Sequence, residues 1–282
     1  MTIIFHAVAV ALSISFAASA QESIDDLLAA PTPSVPVQGT FRSIYVVQNH
    51  SVETINKGVL NLLFSHQFGT LQNGLEGALG LDMACIRIGA DYGVTDWIDL
   101  GIQRDNNISK PVSGFVKNRL LRQSTDGQVP LSITWLSMGF LDTRSDAGLD
   151  YSLTLERRFS SVHQLMLARN FMDKFSIQVA PTLVHRNLVP TSGDDGIALG
   201  VGFSGQYSLT PTIALSAEAS PMFTGTNRYV NPEFGIGVDI ETGGHIFQLR
   251  LSNTTWISED RLYTRTWNAP SLGFNLSRTF KM

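Results

Sequence analysis

Residues 233–253 read EFGIGVDIETGGHIFQLRLSN, and this stretch decides the fold. Large apolar side chains alternate with charged residues or glycine before the central turn, and a second alternation follows the turn. A period of two is typical of a β-strand with one apolar and one polar face. Gly243 and Gly244 supply the positive φ angles that a tight hairpin turn requires. The stretch therefore predicts a β-hairpin, either in a soluble sandwich or in a membrane barrel whose outer face contacts lipid.

The N-terminal residues favour the membrane barrel. A short apolar run from Ile3 to Phe16 precedes the small residues Ala18 and Ala20, which suit cleavage by signal peptidase. The rival interpretation is a short membrane anchor, but the run is shorter than the roughly 20 apolar residues that cross a bilayer as a helix. We interpret residues 1–20 as a signal peptide, which predicts export to the envelope of a Gram-negative bacterium.

The composition excludes several classes of protein. The net charge is -4 and the pI is about 5.8, so there is no electrostatic reason to expect a nucleic-acid partner. Cys85 is the single cysteine, which excludes an intrachain disulfide. No linker rich in proline, serine or charge divides the body of the chain, so we expect one barrel domain, residues 58–282.

The segment between the signal peptide and the barrel has weaker patterns. Pro31, Pro33 and Pro36 fall within six residues, and the residues that follow show no regular alternation of apolar and polar side chains. We interpret residues 21–57 as an N-terminal periplasmic tether with little packing of its own. Within it we expect a strand near Arg42–Val47 and a short helix near Val52–Asn56.

The body of the chain divides into alternating segments of about ten residues, separated by turn signals, as in outer-membrane barrels. Short connections alternate with long ones, and an even number of strands returns both termini to the periplasm. We predict an all-β fold, a transmembrane antiparallel up-and-down β-barrel of about twelve strands, with fourteen as the alternative. The predicted strands are Gly58–Phe68, Met83–Tyr92, Trp97–Arg104, Phe115–Arg122, Leu131–Met138, Val162–Asn170, Lys174–Arg186, Gly196–Tyr207, Thr212–Ser220, Glu233–Glu241, His245–Asn253 and Ser271–Phe280.

The alternation also assigns the two faces of the barrel wall. A lysine or arginine that faces lipid costs about 2–4 kcal/mol at the bilayer midplane, so charged residues are expected to face the lumen. The lumen is either filled by side chains that satisfy one another or open as a channel, and the sequence leaves both open. The predicted lumen-lining residues are Asp99, Gln103, Glu218, Asp239, Gln248 and Arg250.

Two strands do not follow this scheme. Lys117 and Arg119 share a face with the apolar Phe115 and Leu121, and Arg278 shares a face with three apolar residues. We expect these cations either to lie at the membrane interface, where a long side chain reaches water, or to mark a change of register.

The sequence contains no recognisable catalytic or metal-binding motif. The histidines lack metal-ligand spacing, and neither H-E-x-x-H nor G-x-S-x-G is present. Ser252 and Asn253 lie about eight residues, or roughly 25 Å, from His245 on one strand, so these three residues cannot form a triad. Trp256, Tyr263 and Trp267 in the last long loop are interpreted as interfacial aromatic residues. We therefore predict no enzyme, no cofactor and no metal site.

The sequence contains several short motifs that recur in a known family, among them ETGGH at 241–245, HQFG at 66–69, GLD at 80–82 and HRN at 185–187. Together they resemble a family of exported β-barrel proteins classed only as a domain of unknown function. The resemblance covers roughly Gly39 to the C-terminus and implies an outer-membrane barrel, without an activity or ligand. That family usually has arginine where this chain has Gln67. The motif positions of unknown role are His66, Asp82, Arg104, His185, Arg186, Asn187, Gly243, Gly244 and His245.

Three functional hypotheses remain from the sequence. The leading one is a barrel in contact with outer-membrane lipid that passes or binds a small hydrophilic solute. The second is a sealed barrel that anchors or docks another envelope protein. The third is a surface lipid hydrolase. If the lumen conducts, neutralising Arg250 is expected to change its ion selectivity.

Overall fold

The structure is a computed structural model of the chain and describes residues 34–189, 195–225, 231–264 and 268–282. The expected signal peptide, residues 1–20, lies outside the described residues. Residues 36–282 form one compact unit. Among the described residues, no helix has both the length and the apolar character needed to cross a bilayer.

The prediction of an antiparallel barrel of about twelve strands is confirmed. Twelve long strands pair with their neighbours in chain order, and β1 pairs with β13 to close the sheet. One short additional strand, β10, pairs with β8. The strands in the described residues are β1 Val59–Phe68, β2 Ala84–Gly93, β3 Ile98–Asp105, β4 Val112–Leu121, β5 Ser132–Leu141, β6 Phe159–Phe171, β7 Phe175–Arg186, β8 Ile197–Ser208, β9 Ile213–Ser220, β10 Met222–Thr224, β11 Glu233–Thr242, β12 His245–Ser252 and β13 Ser271–Lys281.

The two ends of the barrel differ in their connections. At one end, which we call the short-turn end, tight turns such as residues 243–244 join the strands, and β1 begins there. At the other, the long-loop end, residues 142–158 and 253–270 form long connections. These two loops contain the one-turn helices α1 (Leu155–Arg158) and α2 (Glu259–Leu262). In outer-membrane barrels the short turns are periplasmic and the long loops external.

The outer and inner faces of the wall follow the period-two pattern. On β8, for example, Leu199 and Phe203 point outward and are exposed, whereas Ser204 and Gln206 point inward and are buried. Large apolar side chains cover the outside of the other long strands in the same way. This arrangement, with apolar residues outside and polar residues inside, is the one a bilayer requires of a barrel.

Residues 36–57 lie inside the barrel, and we call this segment the plug. The backbone N–H of Val37 donates to Gln123 O at the short-turn end (2.9 Å), and Gly58 N donates to Gly93 O at the same end (2.8 Å). Between them, a turn closed by Val46 N and Asn49 O (2.9 Å) points toward the long-loop end. The plug is therefore U-shaped, and it enters and leaves the lumen at one end.

Residues 36–57, the plug, differ from the loosely packed tether that we expected for residues 21–57, of which residues 21–33 lie outside the described residues. Neither the strand expected near Arg42–Val47 nor the helix expected near Val52–Asn56 forms in these described residues. Apolar plug side chains are instead buried against the inner wall. The physical reason is that β5 presents an apolar inner surface, on which the plug packs together with Leu262 and Tyr263 of the last loop. The residues of this packing are Phe41, Val46, Val47 and Val52 of the plug and Leu136, Met138 and Phe140 of β5.

The same packing explains the anomalous face of β4. Phe115 is 4% exposed and points inward, where its ring lies 5.1 Å from that of His50. Lys117 and Arg119 also face inward, so the interface explanation is wrong for them. A change of register between Arg119 and Leu121 then turns Leu121 outward. On β13, by contrast, the exposed Arg278 lies over the ring of Phe280 at the short-turn end, at 4.8 Å.

Candidate functional site

The inner wall holds the plug through its backbone. The plug has almost no regular secondary structure, so its buried N–H and C=O groups need partners elsewhere. Glu218 of β9 supplies the main one, because its carboxylate accepts hydrogen bonds from Val47 N (3.0 Å), Gln48 N (2.7 Å) and Asn49 N (3.1 Å). A buried carboxylate that accepts three N–H groups binds the turn of the plug like an anion in a nest of amides.

Other wall residues continue this pattern around the barrel. Asp99 accepts a hydrogen bond from Ile55 N at 2.7 Å, so carboxylates bind both the turn and the exit of the plug. Donors on the wall satisfy plug carbonyl groups, so that both kinds of backbone group are paired. These bonds run from Lys117 to Glu53 O (2.6 Å), from Thr134 to Val52 O (2.7 Å), from Gln178 to His50 O (2.8 Å) and from Gln248 to Val46 O (3.1 Å).

The six residues predicted to line the lumen all lie on inward faces, and none is more than 4% exposed. Asp99, Glu218 and Gln248 contact the plug backbone, as described above, and Gln103 donates to the Tyr45 hydroxyl. Asp239 accepts a hydrogen bond from Gln248 at 3.1 Å. Their role in a solute path remains a prediction, because in this structure they bind the plug, one another or, in the case of Arg250, neighbouring wall residues.

Arg250 also shows how the chain accommodates Gln67. Arg250 Nε donates to Gln67 Oε1 at 2.8 Å, and its other nitrogens donate to Ser65 and Asn275. Asn275 in turn donates to Gln248 at 3.1 Å. Neutral acceptors thus satisfy this buried guanidinium, and they connect it to the contacts that hold the plug.

A buried ionic cluster joins the last loop to the wall, and sequence reasoning did not find it. Arg87 Nε donates to Asp105 Oδ1 at 2.7 Å, and its Nη1 and Nη2 donate to the two oxygens of Glu259 at 2.7 and 2.9 Å. Glu259 Oε1 also lies 3.6 Å from His50 Nε2 of the plug. We call these four residues the Arg87 cluster. It attaches α2 inside the lumen and places the loop in contact with the plug.

Electrostatics at this cluster follow from burial and from its charges. Burial raises the pKa of Glu259, but Arg87 and His50 outweigh this effect and lower it to about 2. Burial lowers the pKa of His50 to about 4, although the neighbouring carboxylate of Glu259 partly opposes the shift. The neutral imidazole and the ionised carboxylate are therefore the stable forms at neutral pH.

The loop and the plug meet inside the lumen. Gln48 Nε2 donates to Trp256 O at 2.9 Å, and the Tyr263 hydroxyl donates to Asn49. Tyr263, which we expected at the membrane interface, is 1% exposed inside the barrel, because its hydroxyl finds partners on the plug and the wall. Trp267 lies outside the described residues. Two segments from opposite ends of the barrel thus close the lumen together.

Cavities lie at both ends of this closure. The short-turn cavity has a volume of about 410 Å³ and is lined by plug and wall residues that include Arg42, Glu53 and Arg119. The long-loop cavity, of about 60 Å³, lies between the wall, the loop 142–158 and α2. Between the two ends, a space of only about 10 Å³ lies beside Arg87 and Arg250.

The motif positions of unknown role are dispersed over the described residues and do not form one site. His66 stacks on Phe274 on the outer face, with ring centroids 5.4 Å apart. Gly243 and Gly244 have φ angles of 53° and 89°, as a tight turn requires. The remaining positions lie as follows: Asp82 is exposed in a loop, Arg104 is exposed and donates to Thr143, His185 is half-buried on β7, Arg186 donates to Gly225 O, Asn187 donates to Glu156 O, and His245 pairs with Thr242.

One serine–histidine contact bears on the hydrolase hypothesis. Ser137 Oγ and His163 Nδ1 lie 3.0 Å apart on the outer face, and Ser137 Oγ also accepts a hydrogen bond from Trp135 Nε1 at 2.9 Å. Ser137 is near the middle of β5, at a depth where the bilayer holds no water for hydrolysis. We interpret the contact as polar groups that satisfy one another. No group of three or more metal-ligating side chains occurs in the part of the chain that the structure describes.

An apolar outer belt and a polar, segment-filled lumen define a membrane β-barrel. The family comparison agrees: residues 41–280 match the model of a family described as a membrane bound beta barrel domain, DUF5777. The chain belongs to this family, as the resemblance of its motifs implied. No curated protein shows significant sequence similarity to the chain.

Solved structures share the fold at low sequence identity. The KdgM porin aligns with a TM-score of 0.51 and 8% identity over 79% of this chain and 99% of its own. The NanC porin gives 0.50 and 8% over 79% of this chain and 100% of its own. The COG4313 outer membrane channel from Pseudomonas putida F1 gives 0.49 and 14% over 83% of this chain and 100% of its own. The first two likenesses support the barrel fold and nothing finer.

Proposed function

We propose that this protein is an outer-membrane channel for small hydrophilic solutes and that the structure represents its closed state. The plug and the last loop form the closure. In this proposal residues 1–20 direct export, the short-turn end faces the periplasm and the long loops face outward. The fold shared with porins is compatible with the proposal, and the observation that carries it is the path of the plug.

The path of the plug permits opening without unfolding the barrel. Because the plug enters and leaves at the short-turn end, it can withdraw toward the periplasm without threading through the sheet. Its backbone donates to Asp99 and Glu218 and accepts from Gln178, and water can satisfy both the plug and these wall side chains after withdrawal. The vacated lumen would keep polar and charged side chains on most of its wall, which suits a water-filled path.

The apolar packing of the plug favours a second candidate function, a sealed barrel that anchors or docks an envelope partner. Val46 and Val47 are fully buried against the wall and the last loop. Burial of each such side chain contributes about 1.5–3 kcal/mol, so withdrawal has a substantial cost. A barrel that never opens would use this packing only for stability.

Conductance of the full-length mature chain in planar bilayers distinguishes the two candidates. We expect rare openings for the wild type and a several-fold higher open probability for Glu218→Ala, because three plug N–H groups lose their acceptor. Glu76→Ala, which removes an exposed loop carboxylate, is the matched control and is expected to behave as the wild type. Among open events, Arg250→Ala is expected to change the ion selectivity.

A folded Glu218→Ala barrel that never conducts would support the sealed-barrel candidate instead. Folding is checked by the change in gel mobility on boiling, so that absence of current is not confused with absence of the barrel.

A further inference from the structure

The long-loop cavity has an unusual lining of cations. Five arginines surround it, contributed by the loop 142–158, by β7 and by α2. They are Arg144, Arg157, Arg158, Arg186 and Arg261. The acidic residues on its surface are two aspartates, Asp142 and Asp260, so the formal charge of the lining is strongly positive. A positive concave surface at the mouth of a barrel attracts anions.

Protein groups already hold most of these side chains in place. Arg144 pairs with Asp142 at 3.1 Å, which neutralises one arginine and one aspartate. Arg158 donates to the carbonyls of Asp142 and Arg144 at 2.9 and 2.7 Å, and Arg186 donates to Gly225 O at 3.1 Å. Asp260 accepts a hydrogen bond from Ser160 at 2.9 Å. Because carbonyl groups carry no net charge, the bonds of Arg158 to them leave its positive charge beside the cavity.

Arg261 differs from the three arginines of the loop 142–158, whose guanidinium groups bond to protein groups. It is 8% exposed, and its Nε and Nη1 groups are buried without a hydrogen-bond partner among the described residues. Its guanidinium carbon lies 5.1 Å from the centre of the Trp256 ring, which holds the group in one orientation. Buried N–H groups of a charged side chain are costly when unsatisfied. The cavity that Arg261 lines is where an acceptor for them would lie.

We propose that the long-loop cavity is a binding site for an oxyanion group, the phosphate or carboxylate of an anionic solute. A guanidinium presents several N–H donors in one plane and suits the oxygens of both groups. A cavity needs about 10–15 Å³ to hold one water molecule, so about 60 Å³ has room for several waters or for one such group. Asp260 also lines the cavity, with its Oδ1 buried and without a hydrogen-bond partner among the described residues, and its carboxylate opposes the binding of an anion.

The position of the site gives it a role that rests on the proposed channel function. Asp260 and Arg261 belong to α2, and the preceding Glu259 is held by Arg87. An anionic solute bound here would therefore contact the segment that closes the lumen from the long-loop end. The site would select anionic solutes at the external mouth, before the plug is displaced.

Isothermal titration calorimetry with inorganic phosphate tests the site without requiring conduction. The full-length mature chain is used in detergent free of lipopolysaccharide. We expect saturable binding, weakened at least tenfold by Arg261→Gln, because one charge-assisted hydrogen bond corresponds to about that factor. Arg104→Gln removes an exposed arginine near the same end that does not line the cavity, and it is expected to bind as the wild type. Asp260→Asn removes the opposing charge and is expected to tighten binding.

The outcomes separate the site from its alternatives. Equal phosphate binding by the wild type and by Arg261→Gln and Asp260→Asn would overturn the proposal, as would no binding of either phosphate or lipopolysaccharide by any of them. Ordered water would then account for the cavity. Binding of lipopolysaccharide that depends on Arg261, without binding of free phosphate, would keep the oxyanion site but identify a lipid headgroup as its source. Phosphate binding by a barrel that never conducts would leave the site intact and remove the channel function.

Discussion

At the residue scale, Arg87 has the largest predicted effect on stability. It is the cation that compensates Asp105 and Glu259, and all three are buried. Removing one partner of a buried ion pair typically costs about 3–5 kcal/mol, because the remaining charges lose their compensation. We therefore expect Arg87→Ala to lower the free energy of unfolding by about that amount, measured by urea unfolding in phospholipid vesicles. Arg104→Ala, on the neighbouring strand and exposed, is the control and is expected to change it by less than about 0.5 kcal/mol.

Arg87→Lys refines this test, since lysine keeps the charge but cannot bind Glu259 through two parallel hydrogen bonds. An intermediate loss of stability is expected for it. If Arg87→Ala unfolds at the wild-type urea concentration, the cluster does not stabilise the closed loop.

The limits of sequence reasoning are also clearest at the residue scale. The period-two pattern placed Glu218 and Arg250 on the inward face, because a strand fixes the direction of every second side chain. It could have indicated Asp105 by continuing the inward set of β3 to the next alternate position, two residues beyond Gln103. It could not have paired Arg87 with Glu259, because that contact depends on a loop whose fold has no period. The same holds for Arg261, whose significance comes from the cavity around it.

At the element scale, the contact between plug and loop predicts a dependence of stability on pH. Burial lowers the pKa of His50 to about 4 from 6.5, so between these values the unfolded chain binds more protons than the folded one. Stability therefore falls as the pH falls from about 6.5 to 4. Glu259, with a pKa lowered from 4.5 to about 2, contributes stability that is fully present above pH 4.5 and is lost as the pH falls toward 2.

This dependence is measured as the free energy of unfolding in vesicles between pH 7 and pH 4. The His50 contribution is at most about 3 kcal/mol across the window, by the usual conversion of a pKa shift. His50→Phe keeps an aromatic ring beside Tyr45 and Phe115 but does not titrate, so we expect a shallower slope in that variant. Identical slopes for the two proteins would show that His50 does not couple protons to the closure.

The elements themselves differ in how far the sequence predicted them. The strands were predictable because each must present apolar residues to lipid on every second position, and the observed bounds follow the predicted ones closely. The plug was not predictable from the sequence. Its buried backbone groups form hydrogen bonds with wall side chains and not the periodic bonds of a strand or a helix. The face assignment of β4 was not predictable for a related reason: Phe115 faces inward, where its ring contacts the His50 ring of the plug.

At the scale of the whole molecule, the two faces of the barrel wall lie in different environments, lipid on the outside and the polar lumen on the inside. Lipid outside requires an apolar belt and a closed sheet, because an open edge would leave backbone groups without hydrogen bonds in hydrocarbon. The inside has no such requirement, so it accommodates both the polar residues of a channel and the apolar patch that binds the plug. This freedom explains why the sequence determined the wall more firmly than the content of the lumen.

The orientation of the whole barrel gives the last prediction. If the long loops face outward, an impermeant thiol reagent applied to intact cells is expected to label Ser145→Cys and not Thr242→Cys, since both positions are exposed but lie at opposite ends. The substitutions are made in a Cys85→Ser background, which removes the native thiol. Permeabilising the outer membrane is expected to make the second position reactive, which controls for its accessibility. Recovery of the chain as a soluble protein would contradict the membrane assignment itself. Labelling of Thr242→Cys alone on intact cells would show that the barrel has the opposite orientation, with the oxyanion site at the periplasmic mouth.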